Sequence, residues 1–132
     1  MQKGGLMKFE IDHNSDESKY IQLHDRIVTM IASGKLAEGD ILPSVREMAE
    51  ILEINFHTVN KAYALLRDEG YVFMDSRAGT VVQLSFNKRE SRSELDRDIK
   101  LLVAKAKCRN IDIDELHRML DVNYGKLTKK KN

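Results

Sequence analysis

Four histidines and a single cysteine are the side chains in this sequence best suited to covalent or metal chemistry. His13, His24, His57 and His117 stand far apart, and none belongs to a HExxH or similar ligand pair. Cys108 has no second thiol to pair with and no adjacent base. No glycine-rich loop follows a strand-like run, so a phosphate cradle is unsupported. The expectation is therefore no enzyme, no metal and no cofactor. A different set has a usable pattern: Ser44 and Arg46, then Asn55, His57, Thr58, Asn60 and Lys61, then Arg77 with Gly79. Most of these residues donate hydrogen bonds or carry positive charge, and they fall in three short clusters. What they can grip depends on the elements that hold them.

Apolar spacing supplies those elements. Behind Ser18, a candidate N-cap, Tyr20, Leu23, Ile27, Met30 and Ile31 recur at helical spacing, and Gly34 stops the run. That predicts a first helix over 19–33. A connector over 35–42 places Gly39 in a turn. Ser44-x-x-Glu47 forms a capping box, in which the serine hydroxyl accepts from the Glu47 amide and the Glu47 carboxylate accepts from the Ser44 amide. It opens a short helix to Leu52, with Val45, Met48, Ala49 and Leu52 on one face. Glu53-Ile54-Asn55 has the length of a tight turn. Asn55 then caps a third helix that ends at Gly70, with Val59, Ala62, Tyr63 and Leu66 turned inward. Two helices joined by three residues have helix-turn-helix geometry. Two β-prone runs, 71–74 and 80–84, flank a loop that carries Gly79, as in a hairpin. Helix, helix-turn-helix, hairpin is the order of a winged helix. Upstream, Phe9-Glu10-Ile11 alternates and reads as a short strand.

The segment 87–93 is polar, lacks apolar residues and reads as a domain boundary. Beyond it, Leu95, Ile99, Leu102, Val103 and Ala106 mark an amphipathic helix, with Ser91-x-x-Glu94 as its capping box. Asp112-x-x-Glu115 repeats the start signal. Ile113, Leu116, Met119 and Leu120 follow as an apolar face, and Gly125 is placed to end the helix. Two short helices cannot make a core alone, so their stripes pack on the winged helix or on another chain. The resulting class is α+β and mostly helical: an arm over 1–17, a winged helix-turn-helix over 18–86, a two-helix dimerisation region over 87–125 and a basic tail over 126–132. That tail holds too little apolar surface to fold. Lys3-Gly4-Gly5 ahead of Leu6-Met7 can be encoded by a ribosome-binding sequence upstream of an ATG. Residues 1–6 therefore read either as translated leader before a start at Met7 or as an ordinary flexible terminus.

Composition narrows the classes further. The 132 residues suffice for one domain and an appendage, with 42% apolar and 33% charged side chains. No run of eighteen apolar residues exists, which predicts no membrane span. The first twenty residues lack the apolar stretch of a secretory signal. One cysteine fits a reducing, cytoplasmic setting. Total charge is nearly balanced, but the halves differ. Residues 1–86 carry 9 basic and 13 acidic side chains, and residues 87–132 carry 13 basic and 8 acidic.

The stretch over about residues 18–84 resembles the DNA-binding domain of the GntR family of bacterial transcription regulators. Its most specific parts are ASGKLAEGDILPSVREMAE, TVNKAYALLRDEGY and the glycine in SRAGTVV. The short helical tail is similar to that of the YtrA subfamily. The resemblance implies a dimer on a near-palindromic double-stranded operator, acting by repression of its own operon, commonly one encoding a transporter. It also implies that Arg46 reaches the groove. The sequence departs from the family at Glu53, where many members have glycine, at Phe56, where many have arginine or proline, and at Asn60, where many have arginine. These departures bear on which operator is read.

Helical geometry then sorts the contacts. With Val59 at the centre of the buried face, His57, Lys61 and Ala64 fall opposite at 100° per residue, and Asn60 sits at the edge. That face would enter the major groove. His57 can donate to a guanine acceptor, Asn60 can pair with adenine, and Lys61 suits a phosphate. Ser44 and Arg46 stand at a helix start whose free amides suit phosphate. Thr58 and Asn55 can bond phosphate as well. Arg77 at the wing tip can enter a narrow minor groove, and Gly79 lets the wing turn. The surplus of acid in the winged helix predicts weak nonspecific affinity and dependence on a homodimer. For that dimer the contact residues would be Leu95, Ile99, Leu102, Val103, Ala106, Ile113, Leu116 and Leu120. The helical pair leaves room for a small-molecule effector that the sequence does not identify. A winged helix that binds protein without touching DNA stands as the alternative, and the Arg46, Lys61, Arg77 set distinguishes the two.

Overall fold

The computed structural model describes residues 9–127. Along them run α1 (Lys19–Ala32), α2 (Val45–Leu52), α3 (Phe56–Glu69), β1 (Val72–Asp75), β2 (Gly79–Val82), α4 (Lys88–Cys108) and α5 (Ile113–Lys126). The chain divides into two compact units, one ending at Ser85 and one beginning at Phe86. The expectations for the leader and Met7, and for the tail beyond Leu127, lie outside the described residues.

The first unit is built around α3. Leu23, Ile27, Met30 and Ile31 of α1, Met48 and Leu52 of α2, and Val59, Ala62, Tyr63 and Leu66 of α3 form one buried cluster with Leu36, Leu42, Val72 and Val82. These are the positions that helical spacing turns inward. The hairpin is a two-stranded antiparallel sheet in which Val72 pairs with Val82 and Asp75 with Gly79. The connector before α2 adds to its edge. Gly39 N–H donates to Val82 O at 2.8 Å, Val82 N–H to Asp40 O at 2.8 Å, and Leu42 N–H to Thr80 O at 2.8 Å. A lone bridge between Ile41 and Val81 results. The wing is thus sewn to the segment that launches the helix-turn-helix.

Several local expectations are corrected. Phe9-Glu10-Ile11 is not a strand. Three alternating residues have no partner edge, and Phe9 and Ile11 instead pack against the core. Ser18 occupies the N-cap of α1 but makes no side-chain cap bond. In the second unit α4 starts at Lys88, so 88–93 is already helical and Ser91 lies inside the helix and does not cap it. Asn87 is the cap: its Oδ1 accepts from Glu90 N–H at 3.1 Å. Lys, Arg and Glu are good helix formers, so a charged run extends the helix. Gly125 does not end α5, which runs one residue further to Lys126. The acidic start signal of α5 is present as read, with Asp112 Oδ1 accepting from Glu115 N–H at 2.9 Å. Between the two helices Asn110 takes a left-handed φ of 58°, and Ile111 N–H returns to Ala106 O at 2.9 Å.

Candidate nucleic-acid interface

The geometry of the helix-turn-helix starts at its caps. Ser44 Oγ accepts from Glu47 N–H at 3.1 Å, and Glu47 Oε1 accepts from Ser44 N–H at 2.9 Å. The box fixes where α2 begins, yet it also occupies two of the amides expected to face a phosphate. It places a carboxylate at the positive end of the helix as well. Ser44 is therefore first a cap, with its hydroxyl hydrogen still free to donate. Across the turn, Glu53 adopts φ 55° and ψ 50°, the left-handed conformation that glycine takes at low cost. Asn55 Oδ1 then accepts from His57 N–H at 2.6 Å and starts α3.

Two long-range bonds hold these helices in register. Tyr63 is fully buried and donates its hydroxyl to Pro43 O at 2.7 Å, tying the middle of α3 to the residue before the α2 cap. Burial, assisted by the charge of Glu47, pushes its phenol well above the ordinary tyrosine range. His13 Nε2 lies 3.0 Å from Leu52 O, where its N–H can satisfy a carbonyl at the end of α2. Neither partner is near in sequence, so neither bond has a local signal.

The predicted contact residues are then distributed as follows. Arg46, His57, Asn55, Asn60 and Lys61 are exposed, and Thr58 is half-buried. Arg46 makes no ion pair with Glu50 among the described residues, so its guanidinium is available. Arg46 and His57 come together in one groove between α2 and α3, lined also by Ala49, Glu50, Ile54 and Phe56. Lys61 is drawn elsewhere. Its Nζ sits 4.1 Å from the centre of the Tyr20 ring on α1, a cation–π contact that the helical-wheel reading missed. The wing holds Arg77 apart from these, at the hairpin tip. Asp75 Oδ1 accepts from Arg77 N–H at 2.7 Å and Ala78 N–H at 3.1 Å, which fixes the turn and lowers the Asp75 pKa below the usual carboxylate range. Gly79 closes the loop with φ 99° and has open space around it, so conformation alone calls for glycine there.

A further cluster lies on α1. His24 Nδ1 is 2.8 Å from Asp25 Oδ1, and its Nε2 is 2.5 Å from Glu69 Oε1 at the end of α3. Its ring meets Tyr71 edge-on. Burial works to lower the His24 pKa, but the bonds and charges of Asp25 and Glu69 outweigh it and hold the pKa above 6.5. Three of the four histidines thus have structural neighbours, and no group of three or more potential ligands sits within metal reach among the described residues.

The second unit is composed differently. Of the eight residues assigned to dimerisation, Ala106 and Leu116 are buried, while Leu95, Ile99, Leu102, Val103, Ile113 and Leu120 are all exposed. Leu101, Met119, Val122 and Tyr124 lie open on the same helices. No helix among the described residues is long and apolar enough to cross a membrane.

The model of the bacterial regulatory proteins of the gntR family matches residues 19–82, from the start of α1 to the end of β2. The chain is 30% identical over 127 residues to the HTH-type transcriptional repressor YtrA of Bacillus subtilis, covering 89% of this chain and 96% of that one. It also resembles the structure of YtrA from Sulfolobus acidocaldarius, a GntR-family transcription factor, at 38% identity and a TM-score of 0.57, over 70% of this chain and 97% of the other. A transcriptional antiterminator from Listeria monocytogenes shares the fold, with 23% identity, a TM-score of 0.84 and 96% of each chain covered. The family model lies over the helix-turn-helix and wing, and the likeness to the Bacillus protein continues into the helical pair. The chain belongs to the GntR family of bacterial transcription regulators, in its YtrA subfamily.

Proposed function

We propose that the chain is a cytoplasmic, homodimeric repressor that occupies a near-palindromic operator upstream of its own operon. The observation that carries the reading is the groove between α2 and α3. There an exposed Arg46, without an ion-pair partner among the described residues, and an exposed His57 stand at the N-terminal ends of two adjacent helices, the part of a helix-turn-helix that approaches base edges. Arg46 suits guanine O6 and N7, and Asn60 suits adenine N6 and N7. Lys61, seated on Tyr20, suits a phosphate flanking the groove, and Ser44, Asn55 and Thr58 suit backbone oxygens. Arg77, on a wing turn fixed by Asp75 and Gly79, suits the neighbouring minor groove. The Bacillus relative is named a repressor, which favours the same sign of regulation here.

A dimer is supported by the second unit, whose α4 and α5 leave six of the eight assigned residues exposed. Apolar surface on this scale marks an interface. A two-fold dimer would place its two α3 helices about 34–36 Å apart, or a multiple of that, and so ask for an operator with matching half-sites. A small effector acting on the helical pair is compatible with this arrangement, and a transporter operon is the class of target that the proposal names.

Selection from a random duplex library with the full chain, at 0.15 M salt, tests the reading. The expected product is an inverted repeat bound two chains at a time by light scattering. Enrichment of no sequence, with no binding to any duplex at low salt, would instead favour a protein-binding module.

A further inference from the structure

Phe56 is a large apolar residue of the helix-turn-helix that lies outside the core. It is the first residue of α3, it is 44% exposed, and it does not belong to the core cluster or to the half-buried side chains packed against it. It is nonetheless held in place. The Asn55 cap fixes the first turn, and the His57 ring stands edge-on to the phenyl, with centroids 5.6 Å apart at 87°. The phenyl lines the α2–α3 groove together with the apolar Ala49 and Ile54 and the donors Arg46 and His57. Glu50 lines the same groove, and its carboxylate repels phosphate, so the groove fits base edges better than backbone. In the major groove only thymine presents a methyl beside a hydrogen-bond acceptor, the O4 atom. An exposed phenyl beside hydrogen-bond donors is complementary to that edge.

We propose that Phe56 reads a thymine methyl in each half-site, within two base pairs of the adenine taken by Asn60. The spacing follows from the helix. Phe56 and Asn60 are four residues apart and share one edge of α3, about 6 Å along its axis. Steps of about 3.4 Å along the duplex make that one to two base pairs. The inference rests on the DNA-binding reading and names what that site selects: an A·T-containing core where an arginine at residue 56 would ask for guanine.

Deoxyuridine tests it, because it pairs as thymine does and lacks only the methyl. The full chain is titrated against its selected operator, with each thymine replaced in turn by deoxyuridine. One position per half-site should lose affinity about fourfold, the worth of one buried methyl. In Phe56→Ala that penalty should vanish while the slope of affinity against salt stays unchanged. Phe56→Leu, which keeps an apolar tip, should retain part of it. Indifference to deoxyuridine at every position overturns the proposal, as does a penalty that survives in Phe56→Ala. Failure of the wild-type chain to bind any duplex is a separate result and overturns the DNA-binding reading with it.

Discussion

The two units spend their apolar residues in opposite ways. In the first, Leu23, Ile27, Met48, Val59 and Leu66 are wholly buried, and Ile41, Ile51, Phe56 and Phe73 are the large apolar side chains left open among the described residues. In the second, Leu95, Ile99 and Leu120 remain at least half exposed. Their charge is opposite as well, since the acidic surplus lies in the winged helix and the basic surplus in the helical half. A core that satisfies itself can hold Arg46, His57, Asn60 and Arg77 at fixed places with little positive field around them. Under the proposed reading, helices that do not satisfy themselves would supply what the first unit lacks, a second copy. The proposed function thus divides specific contact and affinity between two parts of a short chain.

Substitution can break this division, and the largest effect belongs to the core. Leu66→Ala should cost about 2–5 kcal/mol in denaturant unfolding, because it empties a fully buried site on α3. Leu95→Ala, an equal truncation on α4, should cost far less within the monomer. Equal costs at the two sites would dissolve the comparison. Next, Ile99→Asp combined with Leu102→Asp should turn the dimer into a monomer by light scattering and weaken operator binding on the order of 10²-fold. Far-UV dichroism of the winged helix should stay intact.

Smaller effects sharpen the account of the first unit. Glu53→Gly should stabilise the chain by about 1 kcal/mol, since it relieves a non-glycine residue held in the left-handed region. It also removes a negative charge beside α3, so affinity for DNA should rise modestly at low salt and converge with wild type at high salt. An unchanged melting temperature would show that the turn bears no strain. The smallest effect is that of His24. Its folded pKa is raised above 6.5, so its bonds to Asp25 and Glu69 contribute fully below pH 6.5. That contribution is lost as pH rises through the raised value. Both carboxylates are well exposed, which limits the effect to under about 1 kcal/mol. Wild type should therefore lose stability relative to His24→Gln as pH rises from 6 to 8, and a constant difference would exclude the titration.

The parts legible in the sequence are those set by local rules. The Ser44–Glu47 box, the Asn55 cap and the Asp112 start signal are each a side chain bonding an amide two or three residues away, so spacing reveals them. The buried faces of α1, α2 and α3 follow from a 3.6-residue period in the same way. Contacts that close only in three dimensions were silent. The Tyr63–Pro43 bond spans twenty residues, His13 reaches Leu52 across thirty-nine, and Lys61 finds Tyr20 on another helix. The strand-like pairing of Ile41 has no periodic signal because it is one residue long. The early start of α4 was hidden by a competing serine, since Ser91-x-x-Glu94 matches the capping pattern as well as Asn87-x-x-Glu90 does. At the site, residue types and exposure were legible, but the engagement of the α2 amides by Ser44 and Glu47 limits the phosphate contact that a bare helix start would offer.

The proposed division of labour requires that Arg46 act as a sequence reader in a unit with weak general affinity for DNA. Fluorescence titration of the chain against a duplex carrying its own upstream region, beside a scrambled duplex, at two salt concentrations, measures this most directly. Tight binding to the upstream duplex alone is the predicted result, falling about tenfold or more in Arg46→Ala with no change in melting temperature. Equal, weak and salt-sensitive binding to both duplexes, unaltered by Arg46→Ala, would contradict it.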